Sequence, residues 1–271
     1  MQGKIVKIIS NLYTVSSGNE LYLCRARGKF RNLGITPLVG DNVIFSDNII
    51  TEILPRKNEL VRPFVSNVDQ AIIIVSLVLP DLDLYLLDKL ITMIEYNNVK
   101  PIICFTKIDL LTDTTEYLKV KKYYEEIGYQ VFENTDDSIK KVFKDKITVV
   151  TGQSGSGKST LLNKLNPSLK LSTNEISIAL GRGKHTTRHV ELIDMFSGLI
   201  ADTPGFSSLS LKSIPKNDIK YTFVEFNKYM HDCEYKDCNH DLEVNCNIKN
   251  LVGTKILKSR YDNYIKFLRG D

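Results

Sequence analysis

Gly152, Gln153, Ser154, Gly155, Ser156, Gly157, Lys158, Ser159 and Thr160 together fit the GxxxxGK[ST] pattern of a phosphate-cradling loop. The loop follows an apolar stretch at 147–150 and precedes a segment that reads as a helix until Pro167. In that setting the glycines let backbone N–H groups close round an anion, and the helix N-terminus adds the positive end of its dipole. Lys158 is placed to reach the outer phosphates of a nucleotide, and Ser159 to ligate Mg²⁺. Phosphate binding does not choose a base. Thr106, Lys107, Ile108 and Asp109 do: they end another apolar run, and the Asp109 carboxylate can accept hydrogen bonds from both the N1–H and the exocyclic amine of guanine, a donor pair adenine lacks. Lys107 can lay its apolar stem along the base. Thr106 stands where asparagine is the commoner residue, so the contact on the other base edge is shortened or lost.

A third motif, Asp202-Thr203-Pro204-Gly205, ends a further apolar run. Asp202 can hold Mg²⁺ through water and Gly205 can offer its N–H to a γ-phosphate, the arrangement that senses hydrolysis. Between the loop and this motif lies a basic stretch, 181–188, in which Thr187 rather than Thr186 is the candidate to complete the Mg²⁺ shell. Phe206 occupies the place where many switch GTPases carry a glutamine that orients the attacking water, which predicts slow basal turnover and dependence on a partner. His185 is the internal candidate for a catalytic group, with a structural or RNA-contacting role as its rival. Ordinary switch GTPases present the base motif last. Here it comes first, which reads as a complete GTPase sheet circularly permuted in sequence.

Cys233, Cys238, His240 and Cys246 offer three sulfurs and one imidazole within a short segment, the donor set of a closed structural zinc site. Disulfides are the alternative, disfavoured by the intervening histidine and by a cytosolic setting. Four ligands leave no open position for catalysis. Cys24 and Cys104 fall in apparent strands and read as buried thiols.

Residues 1–63 hold nine Lys/Arg against five Asp/Glu, which accounts for the whole net charge of +4. Arg25, Arg27, Lys29 and Arg31 cluster around Phe30, a combination that suits a phosphate backbone and a stacked RNA base. A solvated hairpin tip is the other reading. No apolar run approaches the roughly 20 residues that span a bilayer, and the first ten positions scatter lysines through their apolar residues, unlike a signal peptide. The expectation is a cytoplasmic protein without a membrane association. With no heptad or repeat, a monomer is expected.

The elements that must position these residues follow from the periodicity. Short strands at 4–9, 12–16, 20–25, 43–45 and 49–54 suggest a small Greek-key barrel of the oligonucleotide-binding (OB) kind, with an SH3-like barrel as the alternative. From 67 onward buried strands (71–78, 102–105, 130–133, 147–150) alternate with helices (84–96, 116–127), the pattern of a parallel sheet covered on both faces. Strands at 189–195 and 199–201 follow. After about 215 the chain becomes a helical tail whose last helix, 254–268, turns Ile256, Leu257, Tyr261, Tyr264, Ile265 and Leu268 inward and carries Lys255, Lys258, Arg260, Lys266 and Arg269 on a basic outer face.

With the barrel, the permuted order, the 181–188 stretch and the Cys/Cys/His/Cys spacing together, the chain closely resembles the RsgA (YjeQ/YloQ) family of ribosome-dependent GTPases along essentially its full length. The resemblance implies a multidomain α/β protein: an OB-fold barrel (1–63), a circularly permuted GTPase domain (64–214) and a helical zinc domain (215–271). It implies GTP hydrolysis to GDP and phosphate, stimulated by the 30S subunit and coupled to its late maturation, with 16S rRNA and other assembly factors as partners. Carried over by position, Thr106, Lys107 and Asp109 read guanine, 152–160 holds phosphates, and His185 is the family's loop histidine. The family's base-contacting segment after TKID has no clear counterpart beyond Asn134 and Thr135. Two other functions compete: a nucleotide-sensing RNA-binding module with negligible turnover, which Phe206 supports, and a phosphate-loop kinase, to which TKID adds nothing.

Overall fold

Alternating apolar residues fold the first part of the chain into five strands: β1 (Gln2–Ile9), β2 (Leu12–Ser17), β3 (Glu20–Ala26), β4 (Asn42–Ser46) and β5 (Ile49–Ile53). The computed structural model, which describes residues 1–61, 63–169, 171, 190–201 and 211–270 and leaves the side chains of Arg31 and Val61 undescribed, closes them into a barrel of order β1-β2-β3-β5-β4. Ile5, Val15, Cys24, Val43, Phe45 and Ile50 are at most 1% exposed and fill its interior, with the alternation plainest on β4, where Val43 and Phe45 are buried between half-buried or exposed neighbours. β2 and β3 pair antiparallel from Tyr13↔Cys24 to Ser17↔Glu20, and β3 meets β5 in parallel at Arg25↔Ile49. Antiparallel pairing of β1 with β4 completes the ring.

Where a loop was expected after β3, the chain forms one helical turn, α1 (Gly28–Asn32). Beyond the barrel, β6 (Glu59–Val61) and β7 (Phe64–Ser66) make a two-stranded ribbon for which the sequence pattern predicts no strands. Asp41, fully buried, fastens this ribbon to the barrel. It accepts from the Ser66 hydroxyl at 2.6 Å, from the Leu38 amide at 2.7 Å and from two nitrogens of Arg56 at 2.7 and 2.8 Å.

The remaining strands and their covering helices alternate as β8 (Gln70–Ser76), α2 (Leu84–Tyr96), β9 (Lys100–Thr106), α3 (Thr115–Ile127), β10 (Gln130–Glu133), β11 (Ile147–Gly152), α4 (Lys158–Leu165), β12 (Leu192–Met195) and β13 (Gly198–Ala201). They give a six-stranded sheet of order β10-β9-β8-β11-β13-β12, parallel between β10 and β9 and between β11 and β13, with β12 antiparallel at the edge. Every residue of β8 is buried, as a central strand covered on both faces requires. The Asp83 carboxylate caps α2 by accepting from the Leu86 amide at 3.0 Å, and Gly128, at φ 115°, ends α3.

By contact density the described residues form two compact units: Met1–Ile72, Asp136–Thr151 and Lys158–Ser207 in one, Ile73–Thr135, Gly152–Gly157 and Ser208–Asp271 in the other, with β8 contributing to both. The helical tail, α5 (Lys216–Ile219), α6 (Phe226–Tyr229), α7 (Asn247–Asn250) and α8 (Lys258–Arg269), therefore shares a unit with α2, β9, α3 and β10 rather than standing alone.

Arg260 explains why, and corrects its expected place on an outer basic face. Lys255, Lys258, Lys266 and Arg269 are exposed, but Arg260 is 0% exposed. Its Nε donates to Glu225 Oε1 at 2.5 Å and its Nη1 to Asp88 Oδ1 at 2.6 Å, and its guanidinium lies 4.4 Å from the Phe223 ring centroid. Tyr124 and Asn263 donate to the same Asp88 carboxylate at 2.6 and 2.7 Å. Burial raises the Asp88 carboxyl above its ordinary value, and Arg260 with these hydrogen bonds pulls against that rise. The inward face of α8 is thus Arg260, Asn263, Tyr264, Phe267 and Leu268. Among the described residues no helix is long and apolar enough to cross a membrane.

Removing one partner of this network strands a buried charge. Arg260→Met is expected to lower unfolding free energy by about 3–5 kcal/mol, measured by urea denaturation. Arg260→Lys is expected to recover little of it, because one ammonium cannot reproduce the forked contact with two carboxylates.

Candidate functional site

The phosphate-type loop lies where the sequence places it. Val149 and Val150 of β11 are buried, and the strand delivers Gly152 at φ +139°, where an added Cβ would sit 2.2 Å from the Ile74 carbonyl oxygen of β8. Only glycine allows that close approach of two backbones. Gly155 and Gly157 also take positive φ, 75° and 89°. The chain then enters α4, whose Leu161, Leu162 and Leu165 are buried and which ends before Pro167. Burial lowers the Lys158 ammonium from its usual value. Ser154 and Thr160 are exposed, Gln153 and Ser159 half-buried, and Ser156 fully buried.

Thr106, at the end of β9, is 3% exposed and donates through Oγ1 to the Ser156 carbonyl at 2.7 Å. The structure therefore joins the two expected motifs directly. Lys107 adopts φ 60° and its Nζ donates to the Leu79 carbonyl, a partner that no spacing rule in the sequence indicates. Asp109 sits exposed on the following short turn, Ile108–Leu110. An exposed carboxylate beside a strand-end loop rich in backbone N–H groups can accept donors from a base while the loop holds an anion. Asn134 donates its amide to the Phe105 carbonyl at 2.9 Å, and Thr135 is exposed. His185, Thr187, Asp202, Gly205 and Phe206 lie outside the described residues.

Cys233, Cys238, His240 and Cys246 come together. Their ligand atoms all lie within 4.8 Å of one another. His240 Nδ1 is 3.3 Å from Cys246 Sγ and 3.6 Å from Cys233 Sγ, and the latter two sulfurs are 4.0 Å apart. Zinc–sulfur bonds of 2.3 Å in a tetrahedron separate sulfurs by about 3.8 Å, so the donor set fits that ion. Burial holds the His240 imidazole down, to about 4, with Lys220 adding to the effect, and pushes the Cys246 thiol up, to about 12. The imidazole is thus neutral and ready to coordinate, whereas the thiol must release a proton to do so.

Residues the motif did not reveal hold this knuckle in place. Tyr261 and Tyr264 on α8 donate to the carbonyls of His240 and Asn239 at 2.7 and 2.5 Å. Glu243 accepts the amides of Asn239 and Asp241 at 2.6 and 2.9 Å, and buried Lys220 donates to the Cys238 carbonyl at 3.1 Å. The one available sequence signal was the spacing of the two tyrosines, which reads equally well as ordinary core.

On the barrel, Arg25, Arg27 and Lys29 are exposed, while the side chain of Arg31 lies outside the description. Phe30 departs from its expected role. At 5% exposure it is a core residue, with the Lys29 ammonium 5.4 Å from its ring centroid, so its face is closed to a stacked base. The helical turn of α1 is the reason, since it carries Phe30 inward while Lys29 stays in water. Leu21 and Leu23, 69% and 57% exposed on β3, are instead the apolar side chains that accompany Arg25 on that strand.

Comparison with known proteins agrees with this geometry. A family model described as RsgA GTPase matches residues 53–212, and one described as RsgA N-terminal domain matches 2–51. The small ribosomal subunit biogenesis GTPase RsgA of Enterococcus faecalis is 46% identical, covering 99% of this chain and 94% of its own, and that of Bacillus cereus is 48% identical, covering 98% and 96%. Among solved structures, YloQ, a circularly permuted GTPase, superposes with a TM-score of 0.83 at 39% identity, covering 99% of this chain and 93% of YloQ. YjeQ from Thermotoga maritima gives 0.86 at 34%, covering 99% and 97%.

The protonation states fix how a metal is taken up. Chelator-stripped protein titrated with zinc against a competing indicator is expected to bind more tightly as pH rises, by about tenfold per pH unit for each thiol that must ionise, while the already neutral His240 adds nothing above about pH 5. An affinity independent of pH would remove these thiols from the ligand set.

Proposed function

The chain belongs to the RsgA GTPase family, and on that premise we propose that it couples hydrolysis of GTP to late maturation of the small ribosomal subunit. It is a GTPase, yielding GDP and phosphate. The observation that carries the site reading is the hydrogen bond from Thr106 to the Ser156 carbonyl, which ties the guanine-type motif to the phosphate-type loop. In this reading Asp109 accepts the N1–H and amine of guanine, Lys107 flanks the base, and 152–160 surrounds the phosphates. Ser159 and Thr187 ligate Mg²⁺, Asp202 holds it through water, and Gly205 contacts the γ-phosphate. His185 is the candidate to act on the attacking water, since Phe206 has no group to orient it.

Zinc bound by Cys233, Cys238, His240 and Cys246 is structural in this reading: four protein ligands complete its coordination and leave no catalytic position. Exposed Arg25, Arg27 and Lys29, with Arg31, supply cations for rRNA phosphates on the barrel. The chain acts as a monomer in the cytoplasm on the 30S particle and its 16S rRNA, alongside other assembly factors. The functional division remains barrel (1–63), GTPase (64–214) and zinc tail (215–271).

GTP turnover measured with and without purified ribosomal subunits tests the reading. Slow basal hydrolysis is expected to accelerate with small subunits and not with large ones, and a rate indifferent to both would refute ribosome coupling. Asp109→Asn is expected to weaken GTP binding by about tenfold to a hundredfold, the worth of hydrogen bonds to a charged acceptor. The same change should shift preference toward xanthosine triphosphate, which offers an acceptor where guanine has its amine.

A further inference from the structure

Thr106 has one O–H to donate. That hydroxyl lies 2.7 Å from the Ser156 carbonyl and 3.4 Å from the Val75 carbonyl, and both are acceptors, so its proton is committed to the backbone. The side chain is 3% exposed and rests against the loop, with a Cβ built on Gly157 reaching Oγ1 at 3.8 Å. The base edge opposite the one Asp109 faces presents N7 and O6 of guanine, and both of these are acceptors as well. An asparagine amide has two donor hydrogens and can serve a carbonyl and a base acceptor together. A threonine hydroxyl serves one.

We propose that Thr106 is a positioning residue whose hydroxyl fixes the phosphate loop, and that guanine N7 goes unread. The inference rests on the GTP-site reading and sharpens its specificity: selection of the base falls to Asp109, and a purine ring lacking N7 is accepted as readily as guanine. The Ser156 carbonyl has much to lose, because this residue is fully buried and its own hydroxyl has no hydrogen-bond partner among the described residues. Without Thr106 Oγ1 the peptide that carries the loop into Gly157 loses its tether to β9.

Calorimetric titration of the full-length protein with GTP and with 7-deaza-GTP, each with Mg²⁺, tests this. Wild-type protein is expected to bind the two within about twofold, and Thr106→Val, which keeps the shape and removes the donor, to weaken both by the same factor of about tenfold. Thr106→Ser, which keeps the donor, is expected to restore both. A variant that loses GTP affinity but keeps that for 7-deaza-GTP would show that the hydroxyl reads N7, and one that binds both as wild type does would show that it positions nothing. Either result overturns the proposal. Should Thr106→Val fail to fold, the wild-type comparison still decides, since a preference for GTP beyond about tenfold means that N7 is read. Failure of wild-type protein to bind GTP at all would instead overturn the underlying site reading.

Discussion

A guanidinium with no exposure to water dictates where the tail of this protein lies. Arg260 cannot be desolvated alone; the Asp88 and Glu225 carboxylates and the Phe223 ring must surround it. Those groups come from two distant parts of the chain: Asp88 from α2 after the first sheet strand, Glu225 and Phe223 from the segment entering α6. Tyr124 brings α3 to the same carboxylate, and Asn263 adds a second contact from α8 one turn along. Apolar packing alone would tolerate several rotations of α8. Directional bonds to two fixed carboxylates tolerate one, so the network specifies the docking of the tail as well as stabilising it.

That docking in turn supports the cysteine knuckle. Between Phe226 and Ile248 the buried apolar residues are Cys238 and Cys246, so the segment has almost no core of its own. Its carbonyls are held by Tyr261 and Tyr264, which project from the helix Arg260 anchors, and His240 itself sits at φ 59°, a conformation that persists only where the surroundings impose it. The zinc proposed for its three sulfurs and imidazole would supply the missing centre of such a segment. The knuckle is thus tied to the unit that carries Thr106 and Asp109, through α8 and its buried contacts with α2 and α3.

What the sequence disclosed and what it hid divide along the range of the interactions. The phosphate loop was legible because its chemistry is local: glycines, a lysine and a hydroxyl in nine consecutive positions. So were the strands, through their apolar runs, and the gathering of three cysteines and a histidine, through their spacing. Arg260 was not, because its partners lie 35 and 172 positions away, and a charged residue on an amphipathic helix ordinarily faces water. Phe30 misled for a related reason. Composition around it matched a nucleic-acid loop, but one turn of helix rotates a side chain by about 100° per residue and buried the ring. The ribbon of β6 and β7 was hidden by Pro63, which lies in its turn rather than within a strand.

The permuted order costs the nucleotide site little because that site depends on strand adjacency, not on succession in the chain. β8 presses its Ile74 carbonyl against Gly152, and β9 holds Ser156 through Thr106, so two strands grip the loop at two points. Neither contact depends on which strand comes first in the sequence. Asp109 is different: it stands just past β9 on an exposed turn, where water competes for its lone pairs. Preorganisation is therefore concentrated at the phosphate end, where charge density is high and backbone N–H groups must already be aimed. With Asp109 as the base-reading group proposed above, selectivity is left to a carboxylate that becomes effective only when the site is filled. In the proposed reading, that division has the loop hold any nucleoside triphosphate briefly while guanine alone completes the contact that retains it.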